Sequence, residues 1–140
     1  MKSGSKLLFL VLMLASLTVT MSFARVALSA DDIPQISADD LKQMIESKKT
    51  DFLVVDVQPK GVYDISHIKG AINFPWAADL KSPGRLPRDK MLIFYCDCTH
   101  EEDSTSTATQ VKQKFGYANV RTLKGGWSGW LKLGYPVDKK

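Results

Sequence analysis

Two apolar runs constrain this chain more than any other feature. Phe52-Leu53-Val54-Val55 and Met91-Leu92-Ile93-Phe94-Tyr95 are apolar without alternation. Short runs of this kind are the pattern of strands buried on both faces, the condition of a parallel sheet. Each run stops abruptly, one at Asp56 and the other at Cys96. In open parallel sheets ligands sit beyond the carboxyl ends of the strands. Asp56 and Cys96 are therefore the first candidates for a site.

Helical patterns separate the runs. Ser37 is placed to cap a helix reaching about Ser47, with Asp39 and Asp40 at its positive end and Leu41, Met44 and Ile45 at helical spacing. Pro59 to Asp64 reads as a short helix or turn, Ala71 to Phe74 as a strand, and Trp76 to Leu80 as a helical turn. Ser82-Pro83-Gly84 and Leu86-Pro87 mark a loop. After Cys96 a polar loop, Asp97 to Asp103, leads to a helix predicted from Ser104 to about Phe115 and stopped by Gly116. Asn119 to Leu123 reads as a strand, and Gly125-Gly126 turns the chain into a last helix, Trp127 to Leu133, ended by Gly134. Strands alternating with helices predict an α/β fold with a parallel sheet and helices on both faces.

Residues 1–30 have a different character. Lys2 and Lys6 precede Leu7 to Val19, where only Ser16 and Thr18 are polar, and small residues follow. This is the layout of a secretory signal peptide. Cleavage is expected near residues 24–30, leaving 31–140 as one domain. The expected location is periplasmic or extracellular, with membrane attachment only through a retained leader. The apolar core is short for a membrane-spanning helix. Lys2, Lys6 and Arg25 are three of the 19 basic residues, and none of the 15 acids precedes Asp31, so the remainder carries a net charge of +1. It holds no basic block with interleaved aromatics, which argues against a nucleic-acid partner.

The chain has two cysteines, Cys96 and Cys98. A bridge between them would close almost no loop and stabilise little, so the pair suggests chemistry. A cysteine between a buried strand and a helix start meets inward-turned amides and the positive end of the helix. Both favour an anion, and the thiolate is the nucleophilic form. The same cradle suits a persulfide. The competing view is an inert buried cysteine at a strand end.

These residues resemble the rhodanese family. Cys96 follows its strand as the active-site cysteine does there. Leu53-Val54-Val55-Asp56-Val57 is similar to the family's strand ending in Asp-Val-Arg, and Tyr63 to Asn73, with His67-Ile68-Lys69-Gly70-Ala71, to its His-Ile-Xaa-Gly-Ala signature. Gly116-Tyr117, Leu123-Lys124-Gly125-Gly126-Trp127, Trp130 and Gly134-Tyr135-Pro136 resemble its closing pattern. The resemblance implies a doubly wound parallel five-stranded sheet with helices on both faces. It also implies sulfurtransferase chemistry without a cofactor. The Cys96 thiolate takes the outer sulfur of a small donor, thiosulfate or polysulfide, and passes it from a persulfide to a thiol or to cyanide. His67 and Asp56 are implied as structural residues near the site.

Several positions depart from the family pattern. The active-site loop, Cys96-Asp97-Cys98-Thr99-His100-Glu101-Glu102-Asp103-Ser104, is about two residues longer, carries four acids and has no arginine. Gln58 stands where the family often has the arginine of Asp-Val-Arg. Acids facing the pocket would repel a dianionic donor, at about 1–4 kcal/mol per close pair of charges. Glu102 and Asp103 also suit a first helical turn. Cys98 has three readings: a resolving thiol, a second carrier thiol, or a passive loop residue. Ser104 can add a donor to the cradle. Different classes of function are a non-catalytic rhodanese-like binding domain and a metal site on Cys96, Cys98 and His100 with Glu101 or Glu102, although Cys-Xaa-Cys is weak as a zinc spacing. A phosphatase-like role lacks the oxyanion-binding arginine.

Overall fold

The computed structural model describes residues 32–139. The signal-peptide expectation for residues 1–30 lies outside them. Five parallel strands form the central sheet: β1 (Gln35–Ile36), β2 (Phe52–Asp56), β4 (Ile72–Asn73), β5 (Met91–Tyr95) and β6 (Val120–Leu123), in the order β1-β6-β5-β2-β4. A two-stranded antiparallel sheet pairs β3 (Ser66–Ile68) with β7 (Val137–Lys139). The helices are α1 (Ala38–Glu46), α2 (Lys60–Ile65), α3 (Glu102–Phe115) and α4 (Gly126–Lys132). Among the described residues no helix is long and apolar enough to cross a membrane.

The two apolar runs lie side by side, with Phe52 to Asp56 in register with Met91 to Tyr95. Successive side chains of a strand point to opposite faces, and the core divides accordingly. Val55, Leu92, Phe94 and Cys96 pack with Ala108 and Val111 of α3. Val54, Ile93 and Tyr95 pack on the other face with Leu41 of α1 and with Trp127 and Trp130 of α4. Both faces of β2 and β5 are therefore dry, which is why neither run alternates. The same two-residue period puts Cys96 on the α3 face.

The α1 prediction holds: Ser37 Oγ accepts from the Asp40 amide at 3.1 Å. Gly116, at φ 71°, closes α3 through its bond to Lys112 O. Two expectations need correction. Helix α3 starts at Glu102, two residues before Ser104, because Glu101 takes φ 58° and its carbonyl accepts from the Thr105 amide. Trp76 to Leu80 is not a helical turn. Gln110 of α3 bonds both Ala77 O and the Leu80 amide, taking the backbone groups a helical turn would pair internally. The strands β1, β3 and β7 are too short to carry a periodic signal.

Candidate active site

Strand β2 is followed outward by β4, whereas β5 returns to the other side of β2 and is followed by β6. The crevice between the carboxyl ends of β2 and β5 is the switch point where such folds bind ligands. Asp56 and Cys96 both stand there, joined by the Val57 amide donating to Tyr95 O at 3.0 Å.

Cys96 is 1% exposed, and its thiol lies 3.6 Å from Ser104 Oγ in the first turn of α3. The Ser104 hydroxyl donates to Glu101 O at 3.0 Å. Its one proton is therefore engaged, and it receives from the Cys96 thiol. Once Cys96 ionises, that hydroxyl has to rotate to act as the donor the sequence suggested. Cys98 packs half-buried against the apolar cluster that holds Cys96. Burial, followed by the neighbouring Cys96 side chain, pushes the Cys98 thiol up to about 12.

The Cys96 carbonyl is held by α4. The Trp127 amide donates to it at 2.9 Å, and Gly126, at φ 51°, passes so close that a Cβ there would overlap the Cys96 oxygen. The sequence marked Gly126 only as part of a turn. Its role at the site needed the tertiary approach of β6–α4 to β5.

The loop acids are mostly engaged elsewhere. Glu101 accepts from the Gly125 amide at 2.6 Å and from Gln35 Nε2 at 2.7 Å, tying the loop to the β6–α4 turn and to β1. Asp97 accepts from the Ser128 hydroxyl. Glu102 accepts from the His100 amide at 3.2 Å, and backbone amides hold its carboxyl below the usual range. The exposed His100 ring lies 3.5 Å from Glu102. Asp103 lines a cavity of about 230 Å³ with Val57, Pro59, Pro75 and Trp76. Its wall has a carboxylate and no cation. Thr99 lies in the turn closed by the Glu101 amide on Cys98 O. Among the described residues no three of His, Cys, Asp or Glu converge to hold a metal. Of the set Cys96, Cys98, His100 and Glu101 or Glu102, Glu101 is engaged by Gly125 and Gln35, and His100 lies beside Glu102 with both side chains exposed, whereas Cys96 is buried.

Asp56 organises the crevice. It is fully buried and accepts from the Tyr95 hydroxyl at 2.6 Å, the Gln58 amide at 2.8 Å and Gln58 Nε2 at 3.3 Å. Gln58 thus turns inward and puts no cation at the position of the family arginine. Tyr95 Oη also accepts from the Ile68 amide at 3.1 Å. His67 stacks on Tyr63 with ring centroids 3.9 Å apart, and its Nδ1 lies 2.8 Å from Tyr63 O. A carbonyl only accepts, so Nδ1 carries the proton and the ring is committed to this tie.

Burial raises the Asp56 carboxyl, opposed chiefly by the Tyr95 hydrogen bond. Tyr95→Phe leaves the Ile68 amide without its acceptor and Asp56 without its shortest donor. The expected loss is about 2 kcal/mol at neutral pH. A carboxyl whose folded pKa lies above its unfolded value costs stability above that folded pKa, and protonation relieves the cost as pH falls toward the ordinary carboxylate range. Tyr95→Phe raises the folded value further. Urea melts at neutral and mildly acidic pH should therefore show the variant's deficit shrinking on acidification.

An open, doubly wound sheet with a buried cysteine at a central strand end, backed by a helix start, defines a thiol-bearing α/β domain. The rhodanese-like domain model matches residues 37–133, and the chain belongs to that family. The adenylyltransferase and sulfurtransferase UBA4 of Meyerozyma guilliermondii is 30% identical over 89 residues, which are 59% of this chain and 21% of that protein. The chain thus spans about a fifth of the length of the curated relatives it matches first. A crystal structure of a Bacillus halodurans protein aligns with a TM-score of 0.69 and 27% identity, covering 76% of this chain and 77% of that one. The rhodanese-like domain of an Anabaena protein aligns with a TM-score of 0.65 and 26% identity, covering 78% and 81%.

Proposed function

We propose that this chain is a sulfurtransferase or sulfur carrier that moves sulfane sulfur through a persulfide on Cys96 to a thiol or cyanide acceptor. The observation that carries this is the placement of the Cys96 thiol at the β2–β5 switch point, against the first turn of α3. The thiolate attacks the outer sulfur of the donor, and the donor's remainder leaves with the bonding pair. The acceptor then attacks the outer sulfur of the persulfide and Cys96 leaves as thiolate. The leader-like composition of residues 1–30 supports a site of action outside the cytoplasm.

The cavity walled by Val57, a member of the buried cluster that holds Cys96, favours a donor of low charge. Its wall offers Asp103 and no cation, and Gln58 is turned to Asp56. Thiosulfate carries two negative charges and meets no compensation there. We expect polysulfide or a small thiol persulfide, in monoanionic form, to load Cys96 about 10–1000-fold more efficiently than thiosulfate. The test is intact mass of the reduced protein after incubation with each donor, followed in time. A gain of one sulfur, faster from polysulfide, is the expected result. No gain from either donor, in protein shown to hold free thiols, overturns the sulfur-carrier function.

A further inference from the structure

The two thiols of the loop differ in access and pack in the same apolar cluster. Cys96 is buried to 1% exposure, whereas Cys98 is half-buried and packs against the same apolar cluster. Only Asp97 separates them, and the chain bends into a turn at once, the Glu101 amide reaching back to Cys98 O at 3.4 Å. Both sulfurs are free in this structure. The Cys96 thiol reaches Ser104 and its carbonyl is held by the Trp127 amide, and Cys98, two residues on and packed against the same cluster, is the other thiol of the loop.

We propose that Cys98 resolves the Cys96 persulfide, closing a Cys96–Cys98 disulfide and releasing the sulfane sulfur as hydrosulfide. This rests on the sulfur-carrier function above. The Cys98 thiol gives its proton to the terminal sulfur of the persulfide anion. The Cys98 sulfur then forms a bond to Cys96 Sγ, and the bond between Cys96 Sγ and the terminal sulfur breaks with its electron pair on the departing HS⁻. The terminal sulfur is reduced to sulfide while the two cysteine sulfurs give up two electrons, and total charge is conserved. The oxidant is the sulfane sulfur itself. A ring closed across a single residue is strained and easily reduced, so a dithiol reductant can reopen it for another cycle.

The high proton affinity of Cys98 divides the labour. It keeps its proton in the resting state and holds the proton the leaving sulfide requires. The outcome differs from simple carriage, since sulfur leaves as sulfide when no acceptor intervenes.

The test uses full-length protein loaded with polysulfide, desalted and kept dilute without an acceptor. Released sulfide, intact mass and alkylatable thiols are followed in wild type, Cys98→Ser and Cys98→Ala. Wild type should release one sulfide per loaded chain and end two hydrogens lighter than the reduced protein, with no alkylatable thiol. Both variants should load and then keep the persulfide at least about tenfold longer, since they lack the intramolecular attacker. Equal persulfide lifetimes, or sulfide release without a disulfide, would overturn the resolving role and leave the carrier function standing. Failure of wild type to load overturns both.

Discussion

Cys96→Ser is expected to take up no sulfur from polysulfide or thiosulfate, with transfer rates lower by about three powers of ten or more. The hydroxyl is nearly the same size and remains within reach of Ser104, so the fold should lose only about 1 kcal/mol. Chemistry is lost for a different reason. A serine hydroxyl stays protonated near neutral pH, no histidine contacts residue 96 to act as base, and His67 is committed to Tyr63. The pair of measurements is intact mass after donor treatment and a thermal melt. Sulfur uptake retained in a folded Cys96→Ser protein would move the carrier to Cys98.

Gly126→Ala should be the most damaging conservative change near the site. A Cβ at this position falls inside contact distance of the Cys96 carbonyl oxygen and 3.6 Å from its carbon, at φ 51°. Both of these atoms are backbone and neither is at a flexible end. Relief requires α4 to retreat from β5, which also breaks the Trp127 amide bond to Cys96 O. Left-handed strain and overpacking together should cost about 3 kcal/mol, or about 10–15 °C in Tm for a domain of this size. Gly134→Ala is the matched comparison. Its φ is 67° but no heavy atom lies within 4 Å of its added Cβ, so it should lose only about 1 kcal/mol. Sulfur uptake should fall in Gly126→Ala and stay near wild type in Gly134→Ala. Equal melting temperatures for the two would show that backbone strain, not the approach to Cys96, decides the effect.

Much of this arrangement could be read along the chain where a local rule applies. Ser37 caps α1 because a short hydroxyl can reach an amide three residues on, and Gly116 ends α3 because glycine accepts the left-handed conformation. The strands β2 and β5 were visible as unalternating apolar runs, and Cys96 as the residue where one of them stops. Other features carry no such rule. Strand β1 has two residues and exists because β6 offers it a parallel partner, and β3 exists because Val137 to Lys139 folds back along it. Residues 76–80 had the look of a helical turn until Gln110, some thirty positions away, claimed their backbone groups.

The loop acids show the same division. Their number and order invited an electrostatic argument about donor repulsion. In the fold Glu101 is a clamp on Gly125 and Gln35, Asp97 holds Ser128, Glu102 pairs with His100, and Asp103 is the one that lines the cavity with Val57 and Trp76.

By itself, then, the amino-acid sequence determined the layered α/β class, the strand that delivers Cys96, and the lack of an arginine in its loop. These follow from periodicity and residue type, which act over a few neighbouring positions. The tertiary structure alone decided which thiol is buried, which acid faces the cavity, and why residue 126 must lack a side chain. Each of those depends on the direction and close approach of groups from different strands and helices, and packing across the sheet sets that distance.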